Sequence, residues 1–180
     1  MRQTIAKILL SLLEAYTPPL FVRLELQILL DTTARAFAVP SRRIWQLSAQ
    51  NALRAYAAFT TECMQNASIR PGRLYRTAFA LGHRLRRLTG FTDDAELSRL
   101  VVLLYRGIGI TIDGHLPGEI AVPSCFFSRY YTPKQCALMS CVDAGVIAGL
   151  YGGGRLVFTE RITEGCQQCL AEFTKEQGLQ

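Results

Sequence analysis

Apolar positions recur at three- and four-residue spacings through residues 1–106 and then shift towards alternation. The first part reads as five helices separated by breakers. Residues 4–16 form the first, stopped by Thr17-Pro18-Pro19. Residues 20–38 form the second, with Phe21, Leu24, Ile28 and Leu29 at helical spacing. Val39-Pro40 interrupts, and Ser41 is placed to cap a third helix running to about Ala67. Arg70-Pro71-Gly72 is a turn, followed by a fourth helix over 73–88 that ends near Gly90. Asp93 with Glu96 three residues later marks the cap of a fifth helix reaching about Arg106.

From 107 onward the pattern predicts strands around one further helix. Residues 108–112 read as a strand, Asp113-Gly114 as a tight turn and 119–127 as a second strand, in which Pro123 implies an edge or a bulge. Thr132-Pro133-x-Gln135 combines a capping threonine, a first-turn proline and a glutamine spaced to close a capping box. The helix it starts runs to about Tyr151 and ends in Gly152-Gly153-Gly154. Residues 155–162 alternate like a strand, Glu164-Gly165 turns the chain, and 170–174 form the last strand. The expected fold class is α+β. One domain, 1–180, pairs an N-terminal helical half (1–106) with a small C-terminal sheet and one buried helix in a cysteine-bearing half (107–180).

Helix 133–151 is apolar on every side, which predicts burial, yet carries Asp143 at its centre. A buried carboxylate needs a partner, or it takes up a proton. At ~100° per residue, Cys136, Ser140, Asp143 and Ile147 share one face, and Cys141 points nearly opposite to Asp143. Cys136 and Cys141 are therefore not expected to ligate one metal together.

Composition narrows the classes. Hydrophobic residues make up 49% and charged residues 19%, as in ordinary globular chains. No apolar run reaches the ~18 residues of a membrane span. The short run after Met1, Arg2 and Lys7 is ended by Glu14 without a cleavage site, so an amphipathic helix is expected there and no membrane association. Six cysteines without such a leader imply reduced thiols and a cytoplasmic protein. The net charge of +6 suits a solvated surface or a small-anion site. The cluster Arg84, Arg86 and Arg87 could touch phosphates but lacks interleaved aromatics, so nucleic acid is not an expected partner. The apolar helical half could instead bury a homodimer seam. His83 beside this cluster reads as part of a solvated basic face.

Candidate chemistry concentrates in the last sixty or so residues. Cys166-Gln-Gln-Cys169 has the spacing of half a zinc site, to be completed by Cys125, Cys136 or His115. The pair also admits structural cysteines, one catalytic thiolate or a redox couple, although a redox pair usually opens a helix and here a strand follows. Cys125, at a strand end, is a candidate nucleophile with Asp143 or His115 as its acid–base partner. Glu164 is either a second acid–base group or a turn residue. Arg155 or Arg161 could pair with Asp143 or hold a substrate carboxylate. His115 on its loop and Ser140 beside Asp143 complete the substrate-binding candidates.

These residues carry a resemblance. From Leu104 onward the order is Cys125, then Cys-Val-Asp143 within an apolar helix, a strand, Thr163-Glu-Gly165-x-x-x-Cys169 and a final aromatic strand. This resembles the L-2-amino-thiazoline-4-carboxylic acid hydrolase-like family. The resemblance implies hydrolysis of a C–N bond in a small cyclic amidine-like substrate, opening a thiazoline ring to a carbamoyl-cysteine product. Cys125, Asp143, Gly165 and Cys169 match the family's order. Cys166 departs from it, as does the cysteine two residues before Asp143 instead of three. A second, lesser similarity is to 4-vinyl-reductase-type small-molecule-binding domains, which implies a non-catalytic ligand carrier or sensor with a structural zinc or thiol site.

Overall fold

The computed structural model describes residues 2–66 and 70–176, an α+β arrangement with the helices leading and the sheet following. Helices α1 (Arg2–Ala15), α2 (Pro19–Phe37), α3 (Ala49–Asn66), α4 (Pro71–Thr89) and α5 (Asp94–Gly107) precede strands β1 (Ile110–Gly114) and β2 (Gly118–Cys125). Helix α6 (Pro133–Tyr151) then leads to β3 (Arg155–Glu160) and β4 (Cys169–Thr174). The four strands form one antiparallel sheet in the order β1-β2-β4-β3.

Local chemistry explains most boundaries. Asp93 accepts from the backbone N–H groups of Ala95 and Glu96, satisfying two orphan donors of α5. At α6, Gln135 N–H donates to Thr132 Oγ1 while the Gln135 side chain accepts from Thr132 N–H, closing the capping box on both sides. Gly152 ends α6 in the left-handed conformation.

The largest departure from the sequence expectation is residues 42–48, which are not helical. Ser41 does not cap a helix; its hydroxyl bonds Asp31 of α2. The Gln27 side chain staples the segment to α2, accepting from Ile44 N–H and Trp45 N–H and donating to Arg42 O. Those long-range bonds replace the helical ladder, and α3 begins only at Ala49, beside a Ser48 hydroxyl that accepts from Asn51 N–H. The expected end at Ala67 lies outside the described residues.

Smaller shifts have similar causes. Ile108 closes α5 by donating its N–H to Tyr105 O, so β1 starts at Ile110. Asp113-Gly114 belongs to β1, and the chain reverses at 115–117. β2 is central, not an edge strand. Pro123 is tolerated because the β2–β4 ladder ends at Val122↔Cys169, and the β1–β2 register shifts beside it between Thr111 and Asp113. Phe126–Arg129 leaves the sheet as a 3-10 turn.

The core joins both halves. α6 runs along α4 with almost no side chain between the backbones. A Cβ at Gly145 would lie 2.5 Å from Tyr75 O and 2.7 Å from Ala78 Cβ. At Gly149 it would strike Phe79 O and sit 2.8 Å from His83 N, and at Gly82 it would strike Val146 O. These three positions admit only glycine at this separation. The inner face of the sheet supplies alternating buried residues, among them Ile120, Val122, Ala171 and Phe173. The Phe173 ring lies 4.9 Å from that of Tyr151, whose hydroxyl donates to Leu116 O at 3.0 Å and Asp94 O at 3.2 Å.

Helices α1 and α2 expose Ile5, Ile8, Leu9, Leu12, Leu20, Leu24 and Ile28. Among the described residues no single helix is long and apolar enough to cross a membrane; α1 and α2 pass that test of length and composition only as a pair bent by 110°.

Candidate functional site

A cavity of about 360 Å³ lies between the helices and the sheet. α2 contributes Phe21, Leu24, Glu25, Ile28 and Leu29, and α5 contributes Leu104 and Tyr105. The segment after β1 and β2 contributes Cys125, Phe127, Ser128 and Tyr131, and α6 contributes Cys136, Met139, Val142, Asp143 and Val146. Ile162, Thr163 and Cys169 close the sheet side. The wall is mainly hydrocarbon and aromatic, with a few polar groups converging, as in small-molecule sites.

Asp143 is the best-defined polar group of this wall. Helix α6 delivers it to the cavity because its flanking positions, Val142 and Val146, are buried on the same side. Tyr105 Oη donates to Asp143 Oδ1 at 2.9 Å. Withdrawal from water pushes the carboxyl up to about 6, opposed by the Tyr105 hydrogen bond and by the charge of Arg161. Tyr105 itself is held well above the ordinary phenol range by burial and by Asp143, so it remains a donor. The Asp143 carboxyl faces the cavity, and among the described residues no arginine forms an ion pair with it.

Three thiols share the wall. Burial pushes Cys125 up to about 12, and the charge of Asp143 adds to that. Cys136 and Cys169 are also raised, chiefly by burial. Cys169 Sγ accepts a hydrogen bond from Ile162 N–H at 3.4 Å, which fixes it at the start of β4. A nucleophilic thiolate needs a nearby base or cation. Neither histidine lines the cavity.

The remaining sequence candidates lie elsewhere. His115, Arg155 and Glu164 are exposed and outside the cavity. Ser140 is buried, but its hydroxyl donates to Cys136 O at 3.0 Å along its own helix. Arg161 stacks on Phe158 at 5.2 Å, faces Glu164 at 3.6 Å and does not line the cavity. Cys166 is half-buried outside the wall, and Cys141 likewise lies outside it. Among the described residues no three His, Cys, Asp or Glu side chains come together to hold a metal. Cys166 and Cys169 therefore lack the further ligands of a closed zinc site, and the donor set does not fit that group. His83, Arg86 and Arg87 line a separate, shallow surface pocket beside Gly152.

Sequence reasoning missed Glu25 and the tyrosines. Glu25 shares the helical stripe of Phe21, Leu24, Ile28 and Leu29, so an acid at an apolar position was the available signal. Its carboxyl is pushed well above the usual range by burial, and Oε2 is buried without a hydrogen-bond partner. Tyr56, Tyr105 and Tyr131 carry no local mark of a cavity in the sequence. Tyr131 Oη is 2.6 Å from Thr60 Oγ1.

Compared with known proteins, the chain matches no family model and no curated sequence.

Proposed function

We propose that this chain binds one small, predominantly apolar molecule in the interior cavity, with Asp143 as its main polar contact. The observation that carries this reading is the Asp143 carboxyl, held by Tyr105 in a cavity of about 360 Å³ walled by apolar and aromatic side chains. Six free thiols suit a reducing compartment, and we assign the protein to the cytoplasm. The test is a neutral fluorescent probe, N-phenyl-1-naphthylamine, titrated against the wild type and against Val146→Trp, which fills the cavity. Saturable binding of one probe per chain, lost in the variant, is expected; unchanged binding in the variant would refute the assignment.

A second reading is hydrolysis of a C–N bond in a small cyclic amidine or thiazoline-type ring. It is favoured by a carboxyl raised to about 6, close enough to neutrality to exchange protons. Ionised Asp143 would accept a proton from water as the water oxygen bonds to the C=N carbon. The acid so formed would return that proton to the ring nitrogen, giving a neutral tetrahedral adduct. Asp143 would then take the adduct's hydroxyl proton and pass it to the same nitrogen as the C=O bond forms and the C–N bond breaks. In this reading Cys125 and Cys169 act as neutral wall groups. The C-terminal resemblance to the aminothiazoline carboxylate hydrolases supports the same chemistry. Ring opening of 2-aminothiazoline-4-carboxylate by the wild type and by Asp143→Asn tests it: equal rates remove Asp143 from the mechanism.

A further inference from the structure

The cavity wall holds two carboxyl groups, those of Asp143 and Glu25, and among the described residues no Lys, Arg or His side chain. They approach from different helices, α6 and α2, and Tyr105 of α5 lies within electrostatic range of both. Among the described residues Asp143 has one hydrogen-bond donor, Tyr105, and no ion pair. Glu25 has less: its Oε2 is buried against Gly107 with no hydrogen-bond partner. Five aromatic rings, those of Phe21, Tyr56, Tyr105, Phe127 and Tyr131, complete the polarity of the wall. Their negative faces favour a cation over an anion. The nearest arginine to influence Asp143 is Arg161, which is already stacked on Phe158 and faces Glu164.

Two unpaired acids in an apolar enclosure are costly. Each holds its proton to a higher pH than it would in water or meets a positive charge, and among the described residues no cationic side chain lines the wall. We infer that the cavity is built for a hydrophobic organic cation, an amine or amidine on an apolar frame, bound between Asp143 and Glu25. This inference rests on the cavity being a ligand site. It narrows the ligand class and weighs against the second reading, because a carboxylate-bearing molecule such as 2-aminothiazoline-4-carboxylate would face two acids and no cation in the wall. Binding the cation favours the ionised form of Glu25, which burial otherwise disfavours, so a proton held there leaves the protein as the ligand enters.

The test uses the full chain at pH 7.5, with displacement of N-phenyl-1-naphthylamine by octylamine, 1-octanol and octanoate. These three share one chain and differ in charge. Octylamine should displace the probe at a concentration at least about tenfold lower than either of the others, the scale of one charge-assisted hydrogen bond. Glu25→Gln and Asp143→Asn should each weaken octylamine by about tenfold and leave octanol nearly unchanged. Calorimetry in buffers of different ionisation enthalpy should show proton release with octylamine and none with octanol. If octanol or octanoate displaces the probe as well as octylamine does, the cation inference is overturned and the ligand site stands. If neither the probe nor any of the three binds, the ligand site falls and the inference with it.

Discussion

Asp143→Asn tests the electrostatics of the cavity without any knowledge of the ligand. In the wild type the carboxyl moves from an ordinary value of 3.8 to about 6 on folding. That displacement corresponds to about 3 kcal/mol against the ionised form, since one pH unit is worth about 1.4 kcal/mol. The folded state holds the proton more tightly than the unfolded chain does. The stabilisation is therefore fully present below about pH 4 and is lost as pH rises through about 6. Asparagine keeps an oxygen that can accept from Tyr105 and carries no charge at any pH. The variant should match the wild type within about 1 kcal/mol at pH 4 and exceed it by up to about 3 kcal/mol at pH 8. For a chain of this size that is roughly 6–12 °C in Tm at pH 8. Urea unfolding followed by circular dichroism at half-unit pH steps gives the difference curve, in which other titrating groups cancel. A flat curve between pH 4 and 8, or a variant less stable at pH 8, would refute a carboxyl withdrawn from water.

Three further outcomes follow from the same geometry. Tyr105→Phe removes the one hydrogen bond to Asp143, so the Asp143 carboxyl should titrate above 6 by carboxyl-carbon NMR, with about 1–2 kcal/mol lost at neutral pH. Gly149→Ala drives a methyl into Phe79 O and towards His83 N and should cost at least about 1–3 kcal/mol in urea unfolding; a neutral result would contradict the backbone contact of α4 and α6. Cys125, pushed up to about 12, should react with iodoacetamide at pH 8 at least about 100-fold more slowly than a free cysteine, with a rate still climbing at pH 10; fast alkylation at pH 7 would show a thiolate that burial does not permit.

The elements that could be read from the sequence were those whose determinants are close in the chain. The box of Thr132 and Gln135 and the cap of Asp93 lie within three residues of what they satisfy, and α5 and α6 begin where they predict. Residues 42–48 were misread because their backbone partners belong to Gln27, 15–18 residues away. Asp143 stood out because an acid inside an apolar helix is anomalous on its own. Cys125 and Cys169 meet it in the wall because β2 ends and β4 begins beside that helix. Arg155, His115 and Glu164 have suitable chemistry, but whether a turn or strand end faces a cavity depends on tertiary placement. Glu25 showed the reverse: the same anomaly as Asp143, on a helix with an exposed apolar side, where an acid draws no notice.

The glycine seam between α4 and α6 makes the two sides of the cavity unequal. The side carrying Asp143 rests backbone on backbone, so replacing any of its three glycines moves the helix along with the side chain it bears. The side carrying Glu25 belongs to α2, where Leu24 and Ile28 touch both the cavity and the surface. Substitutions there change the doorway while leaving the seam intact. Ligand preference can thus diverge by exchange of a few outer side chains, over a back wall that tolerates almost no variation.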